Sequence, residues 1–375
     1  MAGKTVSIIA VGDIAPDRAD PATSFARVRS SLRQHDIGFC QLEVNLTERG
    51  TRLPQARHAM RGKASIAPAL ADAGLGVVSF AGNHCMDWGT DALADTLEAL
   101  RAAGTHPVGA GLTIVEARRP VVIERHGLKI AFLAYNSILP QSYWADERRA
   151  GCAPMRAFTH YEQIEHDQPG TPCRVHTYPH REDLAAMEMD IRAARKLADH
   201  VVVSHHWGIH FVPAVIADYQ RDVGRAAIKA GADAVLGHHA HILKGVEFFD
   251  GKPVFYSLGN FAIDLWIDKA HAASKSFREI QALNPDWVVD HNSAYNFPPA
   301  SRRSMAVRLL FDADGLTRAS VQPVWIDRDA VPAFLEPTDQ RFNEVIDYLR
   351  EISAHQGFRT DFTPSGNEVM VTPQQ

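Results

Sequence analysis

Six short polar clusters in this sequence carry side chains that can bind a metal ion, and each follows a predicted strand. They are GD at 12–13, QLEVN at 41–45, GNH at 82–84, SHHWG at 204–208, GHHAH at 237–241 and SLGNF at 257–261. In an open α/β sheet, ligands bind beyond the carboxyl ends of the strands. Six clusters with carboxylate, amide and imidazole groups at such positions therefore predict a metal-centred active site.

The acidic members of the set suit a hard or borderline divalent cation. Asp13 follows a glycine that lets the backbone turn after the first predicted strand. Taken alone, Asp13 fits a helix N-cap or a turn equally well. Glu43 and Asn45 are two residues apart and would face the same side of a continuing strand. A carboxylate between two metals can bridge them, whereas the alternative is a strand end exposed to solvent.

The turn after the third predicted strand places an amide beside an imidazole. Asn83 can coordinate a metal through its side-chain oxygen, and His84 can act on a substrate oxygen as an acid or as an electrostatic stabiliser. Asp87, three residues further on, could orient His84 through the other ring nitrogen. The alternative is a turn asparagine followed by a surface histidine. We predict catalytic roles for His84 and Asp87.

Five histidines lie at the ends of two neighbouring predicted strands. Because successive side chains of a strand point to opposite faces, only one of His205 and His206 is expected to bind a metal. His239 and His241 return to the same face and would form a two-histidine clamp. Alternation does not say which of the two binds; we assign the clamp to the metal and name His205 as a catalytic candidate.

The elements that must position these clusters alternate between strand and helix, which is typical of a layered α/β domain. The predicted strands are 5–11, 36–42, 76–81, 121–124, 129–135, 200–204, 232–236, 246–249, 253–258, 304–311 and 317–324. The predicted helices are 24–34, 65–73, 90–103, 183–198, 218–230 and 339–352. Periodicity is lost over 138–181 and 266–303, and the first of these segments is expected to be a lid, a binding loop or a solvated insertion.

Composition narrows the class of protein. The net charge of −5 makes nucleic acid an unexpected partner. The four cysteines form no C-x-x-C pair, so neither a thiolate zinc site nor a disulfide framework is predicted. The first predicted strand leaves no room for a signal peptide, and no apolar run reaches the roughly 18–20 residues of a membrane helix. We therefore expect a protein without a membrane segment, located in the cytoplasm; its oligomeric state is left open.

Taken in order, the clusters resemble the bacterial capsule-synthesis CapA family, also called the poly-γ-glutamate synthesis family. The matching residues are GD at 12–13, Glu43, GNH at 82–84 with DWG at 87–89, HWG at 206–208, GHHAH at 237–241 and YSLGNF at 256–261. This family belongs to the calcineurin-like metallo-dependent phosphatase superfamily, which implies a four-layer α/β/β/α sandwich. We expect a core over 1–265 with an insertion at 138–182. We also expect a C-terminal extension over 266–375 that completes the second sheet and adds a terminal helix.

The resemblance implies a two-metal site in which one carboxylate bridges the metals. The implied ligands are Asp13 and His241 for the first metal, Glu43 for the bridge, and Asn83, His206 and His239 for the second metal. His84 resembles the residue that protonates or steadies the substrate oxygen. Substrate contacts are assigned to Arg61, Trp207 and Asn260. We expect one or two divalent ions, with Mn, Zn, Fe, Mg and Ca left open.

The sequence departs from the family pattern at several positions. Ala15 stands where many superfamily members carry a histidine, so the first metal site has fewer ligands. Glu43 replaces the aspartate that many members use as the bridge, as is usual in CapA-like chains. His210 and Phe211 stand where many CapA-like chains carry Glu-Tyr. These differences suggest one firmly held metal, or a second that binds only with substrate.

Three functions fit this reading. The first is a metallohydrolase acting on a phosphoester, or on the amide of a peptide or γ-glutamyl polymer. The second is metal-assisted removal of a Cα proton, with a histidine base on each face, which would make the protein a peptide epimerase of a natural-product pathway. The third is a non-catalytic subunit of polymer synthesis. The predicted partner is a peptide or an anionic small molecule or polymer.

Overall fold

The first strand lies inside the larger sheet because both of its faces are apolar and buried.

A computed structural model describes residues 4–56 and 58–374. The strands are β1 Val6–Ala15, β2 Ile37–Leu42, β3 Val77–Ser79, β4 His106–Val108, β5 Ala110–Gly111, β6 Val121–Arg125, β7 Leu128–Asn136, β8 Gly151–Cys152, β9 Ala157–Gln163, β10 Cys173–Pro179, β11 His200–His206, β12 Ala234–His238, β13 Val246–Phe249, β14 Lys252–Phe255, β15 Asn260–Ile263, β16 Arg303–Phe311, β17 Leu316–Ile326, β18 Pro332–Phe334, β19 Thr360–Ser365 and β20 Glu368–Pro373. The helices are α1 Arg29–Leu32, α2 Ile66–Asp72, α3 Gly89–Ala102, α4 Ile114–Ala117, α5 Arg181–Ala194, α6 Asp218–Ala230, α7 Lys269–Ala273, α8 Lys275–Gln281 and α9 Gln340–His355.

Two large sheets position the polar clusters. The first has the order β19-β20-β17-β16-β1-β2-β3-β4, with β15 also pairing with β1 and β18 with β17. The second has the order β13-β14-β12-β11-β7-β6. β1 runs parallel to β2, and β11 runs parallel to β12, so each pair ends at one edge of its sheet. The clusters that follow these strands are thereby brought to a common edge.

The two sheets pack face to face, and helices cover their outer faces. Phe39 of β2 stacks on Phe132 of β7 with ring centroids 5.8 Å apart, which joins the sheets. Along β7, Ile130 and Phe132 belong to this inner core, whereas Ala131 and Leu133 pack with α5 and α6. This alternation follows from the two-residue period of a strand. The layers are helices, sheet, sheet and helices, so the predicted α/β/β/α sandwich is confirmed.

The outer helices are held by apolar stripes at helical spacing. Met187, Ile191 and Ala194 line the buried side of α5, and α3 buries Leu93, Leu97 and Leu100. Each leucine buried in this way contributes about 1.5–3 kcal/mol. α6 ends at Gly231, whose φ of 118° is a left-handed conformation that suits glycine.

The C-terminal segment differs from the expectation. Its strands join the first sheet, because β16 pairs antiparallel with residues 6–10 of β1. The expectation that they complete the second sheet is therefore wrong, since β13 and β6 form the edges of that sheet. β19 and β20, which alternation did not reveal, continue the first sheet beyond β17. The division of the chain at residue 265 remains a prediction.

The expected insertion contains regular structure. β9 and β10 pair as a separate hairpin over 157–179. Most of its residues are exposed, so its sequence has no apolar face that would have predicted a strand. Across residues 4–56 and 58–374, no helix combines the length and the apolar character needed to cross a bilayer.

Candidate metal centre

The first group of ligands gathers where β2 and β11 end. Glu43, His206 and His239 are buried, and one ligand atom of each lies within 4.8 Å of the others. Nε2 of His206 is 3.2 Å from Oε1 of Glu43 and 3.1 Å from Nδ1 of His239. The side-chain oxygen of Asn83 is 2.6 Å from the same nitrogen. The four groups predicted to hold the second metal are therefore in one cluster.

A second group shares one carboxylate with the first. Asp13, Glu43 and His241 are buried, and their ligand atoms also lie within 4.8 Å of one another. Nε2 of His241 is 3.7 Å from Oε2 of Glu43, and Nδ1 is 3.7 Å from Oδ2 of Asp13. Glu43 offers its two oxygens to different groups, which is the geometry a bridging carboxylate needs.

Close backbone approach places Asp13 in this position. A Cβ on Gly12 would lie 2.0 Å from the carbonyl oxygen of Gly259, so only glycine lets β1 pass the end of β15. The backbone N–H of Asp13 donates to that same carbonyl at 3.1 Å. Oδ2 of Asp13 accepts from the backbone N–H of His239 at 3.0 Å, which fixes the carboxylate against the histidine cluster.

The backbone around the clamp is strained. β12 ends at His238, and the next residues leave the extended conformation, with φ of 86° at His239 and 55° at His241. Left-handed conformations are uncommon for residues other than glycine, and they concentrate at functional sites. The two-residue alternation used to pair His239 with His241 therefore does not apply, although both side chains do reach the cluster.

Burial sets the charge of these groups. Burial, followed by the charges of Asp13 and Asp87, raises the pKa of Glu43 well above its ordinary value. Burial, reinforced by neighbouring histidines, lowers the pKa of His206 and His239 well below the ordinary range. Both imidazoles are therefore neutral near pH 7, the form in which histidine binds a metal.

These residues fit a divalent cation. Oε1 of Glu43 is buried and makes no hydrogen bond among the described residues, although Nε2 of His206 lies 3.2 Å away. Buried carboxylates near one another repel unless a positive charge lies between them, and a cation would supply that charge. Imidazole, carboxylate and amide ligands suit Zn, Mn and Fe better than a purely soft metal.

His84 and Asp87 form a hydrogen-bonded pair beside the cluster. Nδ1 of His84 is 2.7 Å from Oδ2 of Asp87, and the hydroxyl of Tyr143 donates to Oδ1 of Asp87 at 2.9 Å. Asp87 is buried, whereas the side chain of His84 is 19% exposed and open to a ligand. Asp87 thus directs Nδ1–H of His84 inward and leaves Nε2 free. Asn45 supports this turn by donating to the carbonyl of Cys85 at 2.9 Å.

The structure does not bring His205 or Trp207 to the centre. Both are fully buried, and their rings stack with centroids 4.5 Å apart on the side of the second sheet that faces α5 and α6. The indole N–H of Trp207 donates to the carbonyl of Tyr256 at 2.9 Å. The reason is the alternation of β11, which sends His206 to the inner face and His205 to the other. The catalytic assignment of His205 and the substrate assignment of Trp207 are therefore wrong.

The other two predicted substrate contacts have partners of their own. Asn260 is fully buried, and its side-chain oxygen accepts from Nδ1 of His241 at 2.7 Å, so it orients a ligand. The guanidinium of Arg61 lies 3.6 Å over the ring of Trp88 and donates to the carbonyl of Gly50 at 2.9 Å. These contacts hold Arg61 on its loop, and its role toward substrate remains a prediction.

Sequence reasoning missed two histidines. His238 is fully buried and places Nδ1 2.9 Å from Oδ1 of Asp13, which orients that carboxylate. The ring of His210 lies 3.9 Å from that of His239. His238 lay within the GHHAH cluster and was set aside by the alternation rule. His210 lies in a loop, where no periodicity predicts a direction.

Comparison with known proteins identifies the family of this chain. The family model described as "Bacterial capsule synthesis protein PGA_cap" matches residues 7–265, and the chain belongs to this family. The chain is 30% identical over 208 residues to the "PGA biosynthesis protein CapA" of Bacillus subtilis (strain 168), covering 55% of this chain and 47% of the relative. It is 29% identical over 237 residues to a "Probable polyglutamine synthesis accessory protein" of Mycobacterium tuberculosis, covering 61% and 56%.

The chain spans about half the length of such relatives, with 44% of the "Capsule biosynthesis protein CapA" of Bacillus anthracis covered at 27% identity over 205 residues. Among solved structures, the calcineurin-like phosphoesterase YfkN of Bacillus subtilis is similar over 95% of this chain and 98% of its own. The sequence identity is 12% and the TM-score is 0.38, a likeness too weak to carry function.

Proposed function

We propose that this protein is a metal-dependent hydrolase that cleaves a phosphoester or an amide of the γ-glutamyl or peptide type. The supporting observation is that Glu43 belongs to both buried ligand groups, so one carboxylate can serve two cations. Cations held there would activate a water molecule and polarise an ester or amide oxygen.

The residues of the chain divide the remaining work. Asn83, His206 and His239 would hold one cation and Asp13 and His241 the other, with the carboxylate of Glu43 shared by both groups. His84, fixed by Asp87, is placed to give a proton from Nε2 to the leaving oxygen or nitrogen. Asp87 orients the ring of His84 for that transfer, because its carboxylate accepts from Nδ1 of His84 at 2.7 Å.

The names of two relatives suggest one class of substrate. One is named for PGA biosynthesis and another for an accessory role in polyglutamine synthesis. These names make a γ-glutamyl amide a candidate beside a phosphoester. The epimerase hypothesis required a histidine base on each face of the substrate. Of the two histidines assigned to catalysis, His84 and His205, only His84 lies beside the ligand groups.

Protein loaded with Mn²⁺ would be incubated with p-nitrophenyl phosphate, with bis-p-nitrophenyl phosphate and with γ-glutamyl peptides in ¹⁸O-labelled water. We expect one class to be cleaved, with ¹⁸O in the released acid, and the activity to disappear in Glu43→Gln. Parallel incubation of peptides in deuterated water tests the alternative. Deuterium at Cα without cleavage would refute the hydrolase and support the epimerase. Bound metal without turnover on any substrate would support a non-catalytic subunit.

A further inference from the structure

A loop between β11 and α6 covers the histidine cluster. Within it, His210 packs its ring 3.9 Å from the ring of His239 and 5.1 Å from the ring of His241, measured between centroids. The rings of His239 and His241 are 6.1 Å apart, so His210 lies across both of them. The ring of Phe211 stacks on both His210 and His241, with centroid distances of 5.1 Å and 5.7 Å.

One ring nitrogen of His210 is buried and makes no hydrogen bond among the described residues. This nitrogen is Nε2. Leaving a buried polar group unpaired costs about 1–3 kcal/mol. A bound ligand that accepts a hydrogen bond from this nitrogen would remove that cost. The rings of His210 and His239 are in contact with their planes tilted by 33°, and no ligand atom of His210 belongs to either metal-binding group. Its free nitrogen therefore suits something bound beside the metals rather than a metal.

The loop is held firmly enough for His210 to act in a fixed place. The ammonium of Lys244 is buried and donates to the carbonyls of Val212 and Val215, the latter at 2.8 Å. The backbone N–H of Phe211 donates to the carbonyl of Ala240 at 3.1 Å. Phe211 itself has a left-handed φ of 55°, a strained conformation that these contacts maintain.

We propose that His210 is a substrate-binding residue whose Nε2–H donates to an anionic oxygen of the ligand at the metal centre. The inference rests on the proposed cation sites, because two divalent cations would exceed the negative charge of Asp13 and Glu43 and favour an anion.

Inorganic phosphate is the probe, and its binding to Mn²⁺-loaded protein would be measured by isothermal titration calorimetry. His210→Phe keeps a ring against His239 and removes the nitrogen. We expect about a 10–100-fold loss of phosphate affinity, the range for a hydrogen bond to a charged group. The Mn²⁺ content should not change. His210→Gln restores a hydrogen-bond donor and should recover part of the phosphate affinity. Ile209 precedes His210 and is exposed, so Ile209→Gln should bind phosphate as wild type does.

Unchanged phosphate affinity in His210→Phe would overturn the proposal, as would a loss of Mn²⁺ together with phosphate, which would make His210 a packing residue of the metal site. A wild type that holds Mn²⁺ and binds no phosphate would overturn it too. Phosphate binding that depends on His210 in a protein that hydrolyses nothing would refute the proposed hydrolase and leave this inference standing.

Discussion

Asn260 is predicted to control one of the two cation positions and to leave the other unchanged. Its side-chain oxygen accepts from Nδ1 of His241 at 2.7 Å, which leaves Nε2 of His241 to face Glu43. Asn260→Leu keeps the volume of the side chain and removes the acceptor, so His241 loses its fixed ring orientation and tautomer. The perturbation falls on the group that contains Asp13, whereas Glu43, His206 and His239 keep their contacts.

The expected magnitude is a loss of about 10–100-fold in metal affinity at the affected position, which is about 1.4–2.7 kcal/mol. Asn260→Leu also removes the amide that donates to the hydroxyl of Tyr295. This loss should have a small effect, because the hydroxyl of Tyr295 keeps its own hydrogen bond to the carbonyl of Ser301 at 2.7 Å. Tyr295→Phe is the matched control, since it removes the other partner of Asn260 and spares the bond to His241.

Metal-stripped protein would be titrated with Mn²⁺ by isothermal titration calorimetry. We expect two binding events in wild type, one of them weakened in Asn260→Leu and both near normal in Tyr295→Phe. Equal weakening of both events would show that Asn260 acts through the fold as a whole. Two unchanged events would refute its role in orienting His241.

Three further outcomes follow from individual contacts. His84→Ala should retain metal and lower turnover by roughly 10²–10⁴-fold, because the proton donor is lost and no ligand is removed; loss of metal in that variant would contradict this role. Burial opposes the charge of Asp233, yet the nearby imidazole of His200 and hydrogen bonds from Lys252 and the backbone N–H of Val201 hold its pKa below the ordinary value. Its stabilising contribution is therefore present above pH 3.8 and lost as the pH falls below it, so urea titrations should show the gap between wild type and Asp233→Asn closing there. Burial lowers the pKa of Lys244 to about 7, so the unfolded chain holds more protons between that pH and 10.5. Wild type should gain stability relative to Lys244→Met as the pH rises from about 7 to 9, and a constant difference would contradict this reading.

The sequence predicted the parts of the site that depend on regular strands. β1, β2, β11 and β12 are short apolar runs, and a parallel sheet brings the residues that follow such runs to one edge. Asp13, Glu43 and one of the two histidines at 205 and 206 are therefore expected together from pattern alone. The assignment of each ligand to the first metal, the second metal or the bridge came from the resemblance to a family, because periodicity does not show which ligands share a metal.

The errors lie where the backbone leaves regular structure or where the faces of a strand are equivalent. β11 is buried on both faces, so nothing in its sequence distinguishes the face of His205 from that of His206. β12 ends at His238, and the left-handed residues that follow redirect the side chains of the GHHAH cluster. The strands β9 and β10 lack a buried face and left no apolar pattern to detect.

The central claim is that one carboxylate joins two cation positions, and metal stoichiometry of Glu43→Gln tests it most directly. Wild type and variant would be loaded with Mn²⁺, dialysed together and analysed by inductively coupled plasma mass spectrometry. An amide cannot bridge two cations as a carboxylate does. Ala15 suggested one firmly held metal, but both ligand groups are formed in the chain without substrate, so we expect two ions per chain in wild type and loss at both positions in the variant. A folded Glu43→Gln variant that keeps two ions, or a wild type that holds none, would contradict the account.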